Sequence, residues 1–202
     1  MKQILLVEGK DDQHVIWSLC KKFDLPETFE VRDSDGVDNL FVQLPVRLKA
    51  AKDGEKIGVI IDADVDLNSR WNQVMSIFKA KLSAFPANPD PKGTIHEQDN
   101  IKVGVWIMPN NTLDGMLEDF IKFLIPDDDV LLPVVEKHLE GIEEAGMNKY
   151  HSIHHAKAKI SSWLAIQEDP GTPMGLSITK KYLTTDKEQC KSLINWLVRL
   201  YT

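Results

Sequence analysis

The sequence predicts an α/β fold: a Rossmann-like, mostly parallel sheet of about four strands flanked by helices, with an all-helical C-terminal extension. Three observations carry this. Short, continuous apolar runs alternate with segments of helical period as far as Pro109. Those runs are apolar at nearly every position, as in strands covered on both faces. Beyond Pro109 only helical periods follow. Residues 1–125 are accordingly read as an α/β domain, and 126–202 as a helical extension packed on it.

The first strand covers "QILLVE", residues 3 to 8. "DDQHVIWSLCKKF" then spaces Val15, Ile16, Leu19 and Phe23 as one helical face, with Asp11 or Asp12 suited to its first turn. "FEVRDSDGVDNL" gives a short strand and a Gly/Asp loop at 33–38. The helix "NLFVQLPVRLKAAK" follows, with Pro45 as a kink or boundary. "KIGVIIDAD" is the strongest strand, and Trp71 to Phe85 again has a helical period. "PANPDPKGTIHEQDN" reads as a loop, and "IKVGVWIMP" as the last strand. "LDGMLEDFIKFLI", "DVLLPVVEKHLEGIEEA", "KYHSIHHAKAKISSWLAI", "GLSITKKYL" and "KEQCKSLINWLVRL" all read as helices.

The 202 residues, 43% of them apolar, suffice for one sizeable core or a core domain with an appendage. Cys20 and Cys190 stand far apart without ligand spacing, which predicts reduced thiols in a cytoplasmic protein. The N-terminus is too short and too soon charged for a signal peptide, and no apolar run approaches membrane-spanning length. A net charge of −7 argues against a module that grips nucleic acid by phosphate neutralisation alone. It leaves room for an enzyme whose acids hold metal ions.

Acids stand repeatedly at the carboxyl ends of the expected strands, where ligands bind in open α/β sheets. The first strand delivers Glu8, the "VIID" strand delivers Asp62 with Asp64 and Asp66, and the last is followed by Asp114, Glu118 and Asp119. Singly, each would read as a cap, a turn residue or a solvated side chain. Together they need a neutralising cation, because crowded, desolvated carboxylates repel. Oxygen ligands without cysteine favour Mg²⁺ or Mn²⁺ over Zn²⁺.

Glu8-Gly9 in "LLVEGKDD" and Asp62-Ala63-Asp64 in "VIIDADVD" resemble the Toprim (topoisomerase–primase) pattern of a glutamate after the first strand and a DxD after a later one. The resemblance implies acid–base work for Glu8 and Mg²⁺ binding for Asp62 and Asp64. The closer likeness is to the nuclease branch typified by the overcoming-lysogenization-defect (OLD) nucleases. It adds Asp12, four residues after Glu8, and Glu118 in "GMLEDF" to the metal set, with Lys157 or Lys159 completing a catalytic site. The whole chain is similar to small stand-alone Toprim-like proteins of the DUF3226 group.

Lys157 and Lys159 lie two residues apart on a helix, so at most one reaches the acids. Gly9 removes a side chain where the first strand turns into its helix. Gly36 serves either a plain turn or a close backbone approach to phosphate. His151, His154 and His155 fit an exposed amphipathic helix better than a zinc site, and the five tryptophans read as core anchors. Two divalent ions would bring the formal −7 only to −3. A short, structured or single-stranded nucleic acid, or a basic protein partner, therefore fits better than long duplex DNA. The expected function is Mg²⁺-dependent phosphodiester cleavage with Glu8 as base. The alternative is a non-catalytic or partner-dependent metal-binding module in nucleic-acid processing or defence. Nucleotidyl transfer is weaker, since no template-holding domain is visible.

Overall fold

A computed structural model of the chain describes residues 3–202. Its sheet has five strands: β1 (Gln3–Val7), β2 (Glu30–Asp33), β3 (Lys56–Asp62), β4 (Thr94–Gln98) and β5 (Ile101–Met108), in the order β2-β1-β3-β5-β4. The first three and β5 run parallel, while β4 pairs antiparallel with β5. The expected count of about four is thus one short. β4 lies inside the stretch read as a loop, because Ile95 is the one apolar aliphatic residue it offers. It joins β5 through Asp99 and Asn100, both with positive φ (52° and 58°), a two-residue turn that lacks the usual glycine signal.

Helices α1 (Lys10–Lys22) and α2 (Val37–Ala50) connect parallel strands, and α3 (Leu67–Lys79) leads from β3 towards the antiparallel β4. Side chains alternate across the sheet and so divide the core in two. Ile4, Leu6, Val59, Ile61, Val103 and Val105 pack beneath α2 and α3. Leu5, Val7, Ile60, Trp106 and Met108 pack on the opposite face with α1 and the C-terminal helices. α2 continues through Pro45, which is exposed, so the proline does not end it. α3 stops at Lys79, short of the expected Phe85, whose ring stacks on Phe78 with centroids 4.6 Å apart.

The C-terminal half comprises α4 (Leu117–Leu124), α5 (Leu131–Glu144), α6 (His155–Ala165), α7 (Met174–Thr179) and α8 (Glu188–Tyr201). One continuous apolar cluster runs from the sheet into these helices. α8 lies directly on the central strands because Gly58 and Gly104, paired across β3 and β5, leave room for it. A Cβ at Gly58 would stand 2.5 Å from the Tyr201 hydroxyl, and one at Gly104 would stand 2.7 Å from Leu200. Tyr201 donates to the Ile4 carbonyl (2.7 Å), and Trp196 donates to that of Thr94 (3.1 Å). No described helix is long and apolar enough to cross a membrane.

Four tryptophans are core residues at 2% exposure or less, but Trp17 is 49% exposed and does not anchor the core. It stacks on His14 on the outer face of α1, with centroids 5.5 Å apart.

The glycine pair generates a stability prediction. Gly58→Ala costs about 2–3 kcal/mol by urea unfolding, since the obstructing hydroxyl is fixed by its hydrogen bond. Gly104→Ala costs less, about 1 kcal/mol, because the end of the Leu200 side chain can turn aside. Equal costs would mean that α8 does not sit on this groove as described.

Candidate metal and phosphate site

The chain leaves β1 for β2 on one side and returns to β3 on the other, so the strand order reverses between β1 and β3. This is the crevice where open α/β sheets take ligands. Glu8 follows β1 directly and Asp62 is the last residue of β3. They are joined across the crevice, where the Asp62 N–H donates to Glu8 Oε1 at 2.9 Å. Asp62 Oδ1 in turn accepts from the Leu117 N–H (3.0 Å) at the first turn of α4. That helix end favours negative charge and ties the loop after β5 to the ends of β1 and β3.

Asp12 lies in the first turn of α1 and Glu118 in that of α4, each only 6% exposed. Asp12 Oδ2 accepts from the Gly9 N–H at 3.1 Å, whereas Oδ1 is buried without a hydrogen-bond partner. A buried carboxylate oxygen left unpaired is costly and calls for a cation or an ordered water. Asp64 has a left-handed backbone (φ 55°) and is bridged to Gly115 by two backbone hydrogen bonds of 2.8 and 2.7 Å. Its Oδ2 pairs with Arg70 at 2.5 Å, and the Arg70 guanidinium lies over the Phe41 ring, 5.7 Å from the centroid.

All five expected metal-site acids line one cleft of about 500 Å³, together with Asp11, Asp33, Asp35, Lys10, His154 and Lys157. The remaining strand-end acids act as caps. Asp66 and Asp114 accept from the Ser69 and Leu67 N–H groups at the start of α3, and Asp119 accepts from that of Met116. Lys157 is exposed at the cleft and lowers the Glu118 pKa, against the larger opposing effect of burial. Lys159 points elsewhere and shares Glu136 with Lys122, at 3.2 and 2.9 Å. The Gly9 N–H serves Asp12, and the Gly36 N–H serves the Glu8 carbonyl at 2.8 Å. With φ +105°, Gly36 shapes the loop while its donor is already engaged.

Burial raises the Asp12 pKa to about 7, with the Glu8 charge adding to the effect. Burial also pushes Asp62 well above the usual carboxylate range, reinforced by Asp12, Glu8 and Glu118. Glu8 is raised by burial, against the pull of the Asp62 N–H and Arg70. Among the described residues no three potential ligands stand close enough to cage an ion as they are. The donor set is nevertheless all oxygen at its centre, and the unpaired Asp12 Oδ1 is where a hard cation relieves the cost.

Sequence reasoning missed Arg70, a cation in the first turn of α3 that opposes the helix dipole and stands four residues after Asp66. His154, read from the sequence as part of an exposed helix, reaches the cleft rim from the 3-10 turn Ser152–His154, while His155 pairs with Glu143 at 2.6 Å.

These shifts fix a pH dependence. Between about pH 4 and 7 the folded protein keeps a proton on Asp12 that the unfolded chain has released, so metal-free stability falls as pH rises through that window. Asp12→Asn removes part of that slope and raises the melting temperature in EDTA at pH 8 by about 2–4 °C, equivalent to roughly 1 kcal/mol. A lower melting temperature for this variant at pH 8 would contradict the charge burial described.

No curated protein and no solved structure matches the chain. One family matches along residues 2–202, that described as protein of unknown function (DUF3226). With nearly its whole length matched, the chain belongs to the DUF3226 family.

Proposed function

We propose that the protein is a Mg²⁺- or Mn²⁺-dependent phosphodiester-cleaving enzyme of the Toprim type, acting on nucleic acid. The observation that carries this reading is the buried, partnerless Asp12 Oδ1, set among Glu8, Asp62 and Glu118 at the sheet's switch point. Asp12, Asp62 and Glu118 would hold the ion with Glu8 beside them, and Asp64 would join once freed from Arg70. Bound there, the ion neutralises phosphate oxygens and makes a water more acidic.

The chain's own groups supply the rest. Glu8, its pKa raised by burial, is suited to take a proton from an attacking water. Lys157, exposed at the rim, offers a cation to a phosphate oxygen. Arg70, displaced from Asp64, would offer a second.

One observation favours a second reading, a metal-binding module that needs a partner for chemistry. Asp64 is already neutralised by Arg70, and Glu8 and Asp62 are held by backbone N–H groups. A partner that draws Arg70 away would then complete the site.

Titration with Mn²⁺ separates these readings when combined with cleavage of plasmid, oligonucleotide and RNA substrates. Ion at 100 times its Kd raises stability by about 2.7 kcal/mol, roughly 5–10 °C in melting temperature. Glu8→Gln and Asp62→Asn are expected to lower cleavage at least 100-fold. Metal binding with no cleavage of any substrate supports the partner-dependent module, and cleavage unchanged in both variants contradicts the roles given to these acids.

A further inference from the structure

We propose that the exposed face of α1 is a track for single-stranded nucleic acid leading into the acidic cleft, with Trp17 and His14 stacking on bases and Lys10 and Lys21 holding phosphates. This rests on the nucleic-acid reading of the cleft and adds the strandedness of the substrate. Lys10, His14, Trp17 and Lys21 are spaced by four, three and four residues, so they lie along one side of the helix. All four are exposed. The stripe itself contains no acid, the exposed Asp11 flanking it beside Lys10, although the protein as a whole carries −7.

Trp17 is the anomaly that demands a purpose. It is 49% exposed, whereas the other four tryptophans are buried to 2% or less. Its indole lies roughly parallel to the His14 ring, at an interplanar angle of 29°. Two stacked, solvent-facing rings between two lysines match the chemistry that binds single strands without sequence readout: π-faces for bases and cations for the backbone. Bases in a duplex already stack on one another and present no face to Trp17.

The track is continuous with the cleft at one end, where Lys10 lines the cleft wall beside Glu8 and Gly9. At the other end Trp17 and Lys21 line a groove of about 810 Å³ between α1 and β2. Asp24 and Glu27 border that groove beyond Lys21 and repel phosphate, which limits the track to the helix; Glu30, also at its edge, is paired with Arg32 at 2.6 Å. From Lys10 to Lys21 the axial rise is roughly 16 Å, space for about five stacked nucleotides.

The experiment uses the full chain in EDTA, so that binding is read without cleavage. Anisotropy of end-labelled 15-mers of thymidylate, of uridylate and of duplex DNA is read as protein is added. The track predicts binding of both single strands and none of the duplex. Trp17→Ala weakens single-strand binding roughly tenfold or more, and Trp17→Phe restores most of it. Lys10→Ala with Lys21→Ala lowers the slope of log affinity against log salt by about 1.4. Absence of single-strand binding, or binding unchanged in Trp17→Ala, overturns the track and leaves the groove to a protein partner. Trp17-dependent binding without cleavage on adding Mn²⁺ contradicts the hydrolase reading alone. Cleavage with Trp17→Ala binding as the wild type does contradicts the track alone.

Discussion

Buried negative charge where β1 meets β3 is the constraint on which the rest of the structure depends. The Asp62 N–H to Glu8 hydrogen bond, at 2.9 Å, locks two strand ends together with their carboxylates facing one crevice. Asp12 closes the crevice from α1 and Glu118 from α4, both nearly excluded from solvent. The fold answers the resulting repulsion with backbone donors at Gly9 and Leu117, with Arg70 against Asp64, and with Lys157 near Glu118. It leaves Asp12 Oδ1 unanswered. The elevated Asp12 pKa is the thermodynamic trace of that deficit.

The opposite end of the molecule offsets this cost. α8 runs over the paired glycines of β3 and β5, and its Trp196 and Tyr201 donate to carbonyls of β4's first residue and of β1. The helical half is thereby fused to the sheet through one apolar cluster. A destabilised acidic edge and a tightly packed body form the division expected where a site works against local stability. Asp64 and Asp35, at φ 55° and 59°, show the same bias, since two non-glycine left-handed residues sit in the loops that rim the cleft.

Most of this was legible in the sequence. The apolar runs at 3–8 and 56–62 read as covered strands, and the acid at the tip of each stands at the crevice between β1 and β3. β4 was not legible, because "TIHEQ" has little strand propensity and depends on β5 for its pairing. Trp17 was misjudged because periodicity puts it next to Ile16 and Cys20, and only packing reveals that α1 turns it outward. Choosing between Lys157 and Lys159 needed the helix's rotation, which Glu136 decides by holding Lys159 away from the cleft. The Arg70–Asp64 pair is a tertiary contact six residues apart across a left-handed turn, which no spacing rule anticipates.

The central claim is that these acids form a cation site, and anomalous diffraction from Mn²⁺-soaked crystals tests it most directly. The account predicts a peak within ligating distance, about 2.2 Å, of Asp12 Oδ1 and of at least one oxygen from Asp62, Glu8 or Glu118. A peak only at surface carboxylates, or none at saturating Mn²⁺ with Asp12 Oδ1 bonded to an ordered water, would contradict it.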